Sequence, residues 1–325
     1  MSELKIVAEL SANHLGSKDR AMRILWAAAK AGATHFKVQC WKAGTMCIDP
    51  SYTVPSGPWA GHSLQRLYAE AYTPWEWLPR LFEEARKCGI EPFGSAFDKE
   101  SVDYLDSLGV KRHKVASFEL TDIPLIRHMA TKGRPIVLST GMATHDEIES
   151  AFWMARGGAF REDTRPPNHV TILRCSSAYP ASSCGALASP HGMFRGPWGL
   201  SDHTQGIGVS VAAVAMGATM IEKHLTLSRS DGGPDAGFSM EPHEFAQLVT
   251  ECRRAHAAIQ QAEPQKEHTE LRRSLWWAKD IQDGETITAE HLVTARPALG
   301  LHPREMVRLI GTVAKQSAAA RTPVT

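Results

Sequence analysis

Three lysines, a group of serines and two histidines recur at equivalent points of successive strand-like runs. Lys37, Lys114 and Lys223 each follow an apolar stretch, and Ser117, Ser139, Ser176 and Ser201 lie at neighbouring ends. Ammonium groups brought to one place repel unless an anion compensates them, so lysines beside hydroxyls suit phosphate and carboxylate groups. The plainer alternative is that each lysine pairs with a nearby carboxylate, Glu9, Glu119 or Glu222. His203 and His224 fall on two consecutive runs. Neutral imidazoles with added oxygen ligands suit Mn, Fe, Co or Zn, and two of them leave positions open for water and a carbonyl. Either could instead be a hydrogen-bonded structural residue.

Two loops add polar and aromatic groups. SRSDGGPDAGFS (228–239) carries Asp231 and Asp235, which could accept hydrogens from sugar hydroxyls or amides; a solvated loop is the other reading. GPWAGHSLQRLYAEAYTPWEW (57–77) places Trp59, Tyr68, Tyr72, Trp75 and Trp77 close together, as a sugar-lining set or as core packing.

Such groups converge only if the chain positions them. Strand-like runs at 5–12, 35–41, 91–97, 112–118, 135–140, 170–178, 196–203 and 218–226 alternate with helical patterns over Lys18–Ala31, Thr73–Cys88, Lys99–Leu108, Ile123–Lys132, Thr144–Arg156, Gly206–Met216 and Pro242–Ala262. The sixth crossover, around 182–194, has the faintest helical pattern. Continuous apolar strands joined by helices demand a parallel sheet buried on both faces. About eight such units predict an α/β fold, a (β/α)8 TIM barrel whose C-terminal strand ends share one mouth. The competitor is an open doubly wound sheet, but no glycine-rich dinucleotide fingerprint follows any strand. Residues 1–262 are therefore read as a catalytic barrel, 263–273 as a charged linker, and 274–325 as a small β-rich domain that docks onto a barrel, its own or a neighbour's.

Composition narrows the partners. The 325 residues hold 36 Lys+Arg against 35 Asp+Glu, a formal net charge of +1, so no basic field favours nucleic acid or an acidic membrane. The start MSELKIVAEL lacks a signal-peptide pattern, and no stretch is apolar for long enough to span a bilayer. Six cysteines without a CxxC pair argue against a disulfide framework or zinc knuckle, and a reducing cytoplasm is expected.

AELSANHLGS, FKVQCWKAGTM, HKVASFELTDIPLI, LSTGMAT, GLSDHT, IEKHLTLSRSDGGPD and ARPALGLHP, in this order, together resemble the sialic acid synthase family. The resemblance implies a TIM barrel with a C-terminal antifreeze-like (SAF) domain in a domain-swapped homodimer. It also implies condensation of phosphoenolpyruvate with an amino sugar to give a nine-carbon acid. The 228–239 loop, AYTPWEW and SFELTD are most similar to the branch of that family that makes pseudaminic acid. For that branch the sugar is 2,4-diacetamido-2,4,6-trideoxy-L-altrose; N-acetylneuraminate and legionaminate synthesis are the alternatives. Carried over by position, the phosphoenolpyruvate groups fall on Lys37, Ser95, Lys114, Ser117, Ser139, Ser177, Ser201 and Lys223. The sugar groups fall on Gln39, Glu119, Tyr179 and Asp235, with Arg296 from the partner. Glu9 matches the catalytic glutamate, and His203 and His224 match the ligands of a divalent metal, Mn2+ with Mg2+ or Co2+ as alternatives. The chain departs from the family at Leu15 and at Gly94-Ser95-Ala96-Phe97, where a proline is missing.

The expected chemistry is attack by C3 of phosphoenolpyruvate on the open-chain sugar aldehyde, addition of water at C2, and loss of phosphate by C–O cleavage. Two other classes compete. A Schiff-base aldolase would use one desolvated lysine and need no metal, whereas lysines beside many hydroxyls favour a phosphorylated substrate. A non-catalytic sugar-binding protein would be expected to lose part of the strand-end set, which here is almost complete.

Overall fold

The computed structural model describes residues 3–57, 59–157, 169–181, 187, 196–260 and 267–325. It divides into two compact units, Met1–Gln260 and Gln261–Thr325.

In the first unit eight strands close into a parallel barrel in sequence order: β1 (Lys5–Glu9), β2 (His35–Cys40), β3 (Glu91–Ala96), β4 (His113–Val115), β5 (Ile136–Ser139), β6 (Val170–Cys175), β7 (Trp198–Ser201) and β8 (Met220–His224). β1 also pairs with β8, so no edge is left to solvent. The helices are α1 (Lys18–Ala31), α2 (Ala43–Met46), α3 (Leu64–Ala71), α4 (Leu78–Lys87), α5 (Lys99–Ser107), α6 (Ile123–Thr131), α7 (His145–Ala155), α8 (Gly208–Ala215) and α9 (Pro242–Gln260). Local chemistry sets their ends. Ser17 accepts from the Arg20 amide to start α1, and Asp98 and Thr144 open α5 and α7 with reciprocal capping boxes. Ile24, Leu25 and Ala28 of α1 are buried against the sheet, as their spacing requires.

Several expected strands end early. The run at 112–118 is a strand only over His113–Val115, because the chain turns into a 3-10 helix at Ser117–Glu119. Likewise β1 stops at Glu9, and Ser11–His14 form a 3-10 turn with Ser11 at φ 46. Thr73–Cys88 splits into a 3-10 turn at Trp75–Trp77 followed by α4. The crossover expected at 182–194 lies almost wholly outside the described residues.

Parallel register decides which side chains share a face. Glu9 is paired with Lys37 and with His224, Gln39 with Ser95, Ser95 with Lys114, and Ser201 with Glu222. All of these therefore project to the same, inner side. At Gly199 a Cβ would sit 2.2 Å from the Met220 carbonyl oxygen, so only glycine lets β7 lie this close to β8.

The second unit pairs β9 (Ser274–Trp277) antiparallel with β10 (Leu292–Ala295) and adds a short helix, α10 (Met306–Leu309). Its own small core gathers Leu275, Trp277, Ile281, Ile287, Leu292, Ala314 and Val324. Among the described residues, no helix is long and apolar enough to cross a membrane.

Candidate active site

The mouth of the barrel holds a cavity of about 730 Å³. Of the residues singled out from the sequence, Lys37, Gln39, Ser95, Lys114, Ser117, Glu119, Ser139, Ser177, Tyr179, Ser201, His203, His224 and Asp235 line it.

Its floor is an ion-pair network. The Lys37 ammonium lies 3.0 Å from Glu9, 3.0 Å from Glu222 and 3.2 Å from the Ser95 hydroxyl. Burial pulls this lysine down, but Glu222 and Glu9 outweigh it and hold it above the ordinary lysine value. Two carboxylates around one ammonium do not share it equally. Burial raises Glu9, whereas Glu222, faced by both Lys37 and Lys114, is held down as the anion. Glu9 also accepts from the Ser11 amide at 3.0 Å and does not line the cavity, so it supports Lys37 from behind.

Lys114 is different. It is 1% exposed, it donates to the Ser139 hydroxyl at 2.6 Å and the Val115 carbonyl at 2.9 Å, and among the described residues no carboxylate reaches it. Burial pushes it down to about 8, with Glu222 opposing and Lys37 adding repulsion. A buried ammonium without a counter-ion is costly, and a bound anion removes that cost.

Around Lys114 the strand ends form a small cradle. The Ser117 hydroxyl meets the Cys175 thiol at 2.9 Å, and that sulfur accepts from the Gly141 amide at 3.1 Å. The Ser177 hydroxyl is buried and has no partner among the described residues. A Cβ on Gly141 would come within 2.1 Å of Ser177 Oγ and 3.0 Å of both Cys175 Sγ and Ser117 Oγ, so the missing side chain keeps the cradle open. Glu119, at the end of the turn that carries Ser117, is raised by burial to about 7 against the pull of Lys114, and its Oε2 has no partner among the described residues.

His203 and His224 stand beside this cradle with ring centroids 5.4 Å apart. His203 donates Nδ1–H to the Ser176 carbonyl at 2.9 Å, which leaves the Nε2 lone pair free. His224 has a buried Nδ1 that finds no partner among the described residues. Burial holds both rings below the usual imidazole value, so they are neutral near pH 7. A divalent ion fits two free, neutral imidazole nitrogens, with water or a substrate oxygen completing its shell. Among the described residues no third side chain of ligand type joins them.

The structure moves one expected residue out of the site. Lys223, anticipated among the phosphoenolpyruvate groups, points away from the cavity. Its ammonium lies 2.9 Å from Asp202 and 2.5 Å from the Thr204 carbonyl oxygen, on the face of the barrel wall that packs on α8. Alternation explains it: Glu222 and His224 face inward, so the residue between them faces out. The expectation of three lysines converging on one pocket is thereby corrected to two. Asn13 and His14 are structural as well. Asn13 bonds the Leu225 carbonyl and Ser239, and both ring nitrogens of His14 are engaged, by Thr73 and by the Gly16 amide. Asp231 pairs with Arg20, while Asp235, raised by burial, accepts from Ser11 and lines the mouth.

The aromatic run divides too. Trp59 and Tyr68 line the cavity, whereas Trp75 stacks on Tyr104 at 4.6 Å and Trp77 packs edge-on to His14. Arg296, in the second unit, is exposed. The alternative that a lysine pairs with Glu9 or Glu222 holds for Lys37. Cys175, Gly141 and Phe238 carry no such signal in the sequence and become visible only once loops from different strands meet.

A profile of the NeuB family matches residues 24–264, and a SAF domain profile matches 272–325. The chain is 36% identical to the pseudaminic acid synthase of Helicobacter pylori, over 98% of this chain and 96% of that one. It is 34% identical to the N,N'-diacetyllegionaminic acid synthase of Legionella pneumophila, over 98% and 92%. Among solved structures, the N-acetylneuraminic acid synthetase of Leptospira borgpetersenii in complex with citrate superposes with a TM-score of 0.72 at 29% identity, covering 82% of this chain and 89% of that one.

Proposed function

The chain belongs to the NeuB family, and from that premise we propose that it condenses phosphoenolpyruvate with 2,4-diacetamido-2,4,6-trideoxy-L-altrose to give pseudaminic acid and phosphate. The observation that carries this reading is Lys114, a buried ammonium without a carboxylate partner among the described residues, ringed by Ser117, Ser139 and Ser177 and set beside two neutral imidazoles. The relatives' shared chemistry supports the transferase class; pseudaminic acid synthases at 35–36% identity stand beside N,N'-diacetyllegionaminic acid synthases at 34–35%, and the 228–239 loop, AYTPWEW and SFELTD support the finer choice of sugar.

Lys114 and the cradle hydroxyls bind the phosphate of phosphoenolpyruvate, and Lys37, fixed by Glu222 and Glu9, offsets the remaining negative charge in a water-poor pocket. His203 and His224 are the residues that would hold a divalent ion, Mn2+ by preference; bound there, it supplies Lewis-acid polarisation of the open-chain sugar carbonyl. C3 of phosphoenolpyruvate bonds to the sugar C1, and the carbonyl oxygen takes a proton to become a hydroxyl. The C2=C3 π bond of phosphoenolpyruvate is spent in that attack, so the oxygen of water bonds to C2 and gives one proton to a base. The C2–O bond to phosphate then breaks with its electron pair going to phosphate, and the C2 hydroxyl gives up its remaining proton to leave the keto group. Glu119, poised near pH 7 with an oxygen unpartnered among the described residues, faces the reactants; as the carboxylate it takes the proton of the sugar's anomeric hydroxyl when the ring opens and returns it to the new hydroxyl. Holding both reactants face to face supplies a large share of the acceleration.

The protein acts as a homodimer in which Arg296 of one protomer completes the sugar site of its partner, and it works in the cytoplasm. Incubation with phosphoenolpyruvate, Mn2+ and a panel of amino sugars tests the reading. A product with the mass of pseudaminic acid from the altrose-configured sugar is expected; efficient product from N-acetylmannosamine alone would replace it with N-acetylneuraminate synthesis.

A further inference from the structure

Three aromatic rings from three different loops meet above the two imidazoles. Trp59 comes from the segment after β2, Tyr179 from the end of β6, and Phe238 from the loop after β8. Ring centroids are 5.3 Å apart for Trp59–Tyr179, 5.0 Å for Tyr179–Phe238 and 6.3 Å for Trp59–Phe238. Below them Tyr179 lies 4.3 Å from His203 and Phe238 5.0 Å from His224.

Trp59 is carried on a strap. Thr53 bridges Ser63, the Val54 amide donates to the His62 carbonyl, and the Leu64 amide donates to the Tyr52 carbonyl, which makes a short antiparallel arm. At its tip the Trp59 indole N–H donates to the Pro234 carbonyl at 3.0 Å. The one polar atom of that side chain is thus spent on the far side of the mouth, and hydrocarbon faces the cavity. Val54, Leu64 and Leu67 continue the apolar wall. Among the described lining residues the only cations are Lys37 and Lys114, both at the floor, while Glu119 and Asp235 are the acids nearer the wall.

A sugar whose carbonyl end sits over His203 and His224 lays the rest of its carbon chain along these rings. A phosphate at the far end would meet hydrocarbon and two acidic side chains. Pressed on the Trp59 and Phe238 ring faces, which offer no free polar atom, a hydroxyl would lose water to hydrocarbon, whereas a methyl group would be received favourably. We infer that Trp59 and Phe238 determine sugar choice, selecting an unphosphorylated, methyl-ended substrate. This rests on the function proposed above and adds the residues that enforce its sugar specificity.

The test compares two sugars that differ at one carbon, 2,4-diacetamido-2,4,6-trideoxy-L-altrose and its 6-hydroxy analogue, by phosphate release from phosphoenolpyruvate in the full-length protein. The wild type is expected to favour the methyl sugar in kcat/KM by on the order of 10- to 100-fold. Trp59→Ala and Phe238→Ala should each shrink that ratio to within about threefold while leaving the KM for phosphoenolpyruvate unchanged. Trp59→Phe keeps a ring but loses the bond to Pro234, so it should retain most of the preference. Turnover with an unaltered ratio in both alanine variants, or no preference in the wild type, overturns this inference alone. No phosphate release from either sugar overturns the proposed function and this inference together.

Discussion

The Asp202 carboxylate and the Lys223 ammonium meet 2.9 Å apart, fully buried, one residue along from His203 and His224 respectively. Asp202 also accepts from the Thr204 amide and hydroxyl and from Ser210 on α8. The pair therefore ties β7, β8 and α8 together on the outside while the imidazoles face inward. Lys223→Met would leave a buried carboxylate without its cation, which costs about 3–5 kcal/mol. Denaturant unfolding should show that loss, and titration calorimetry should show phosphoenolpyruvate affinity within a few-fold of wild type. A large loss of affinity in a stable variant would return Lys223 to the substrate site.

Gly141→Ala tests the cradle from the opposite direction. The added methyl would crowd Ser177, Cys175 and Ser117, its three nearest neighbours. The fold should be retained, and the KM for phosphoenolpyruvate should rise by one to two orders of magnitude, as expected for loss of about 1.5–3 kcal/mol of charge-assisted bonding. An unchanged KM would place the phosphate elsewhere.

Lys114 at about 8 and Glu119 at about 7 predict the pH dependence. Activity in kcat/KM should rise as Glu119 loses its proton near pH 7 and fall as Lys114 loses its charge near pH 8. Glu119→Gln should remove the acid limb and Lys114→Met the alkaline one. Stability follows a separate sign. Glu119 binds its proton more tightly in the folded state than at its ordinary value of 4.5, so its contribution is present below pH 4.5 and is lost as pH rises through 7. Thermal unfolding of the ligand-free protein should show a Tm falling across that window, and the Glu119→Gln variant should show a flatter one.

Subunit complementation separates a swapped arrangement from a self-contained one. His203→Ala and Arg296→Ala proteins should each be impaired. If Arg296 acts on the partner's barrel, a refolded equal mixture holds one intact site in each heterodimer, or about a quarter of all sites. If Arg296 acts within its own chain, mixing restores nothing.

Much of this site could be anticipated because parallel strands are continuous apolar runs, and polar groups at their ends stand out against them. Lys37, Lys114, Ser139 and His224 are visible in that way. Period-two alternation also held the information that Lys223 and Glu222 face opposite sides, but grouping both as strand-end residues hid it. Nothing in the run at 112–118 marks a break before Phe118, so a strand is expected through Ser117, whereas the chain turns into a 3-10 helix at Ser117–Glu119. Trp59 could not be told from core aromatics, since its role depends on a contact with Pro234, 175 residues away.

In the proposed reaction the Lys114 cradle seats an enol phosphate against a sugar carbonyl held at His203 and His224. The most direct measurement is phosphate release from phosphoenolpyruvate carrying 18O in the bridging position, with and without the altrose-configured sugar, before and after metal removal. Release is expected only when sugar and metal are both present, with the label leaving in phosphate. Label retained in the sugar acid, or turnover undiminished after complete metal removal, would contradict it.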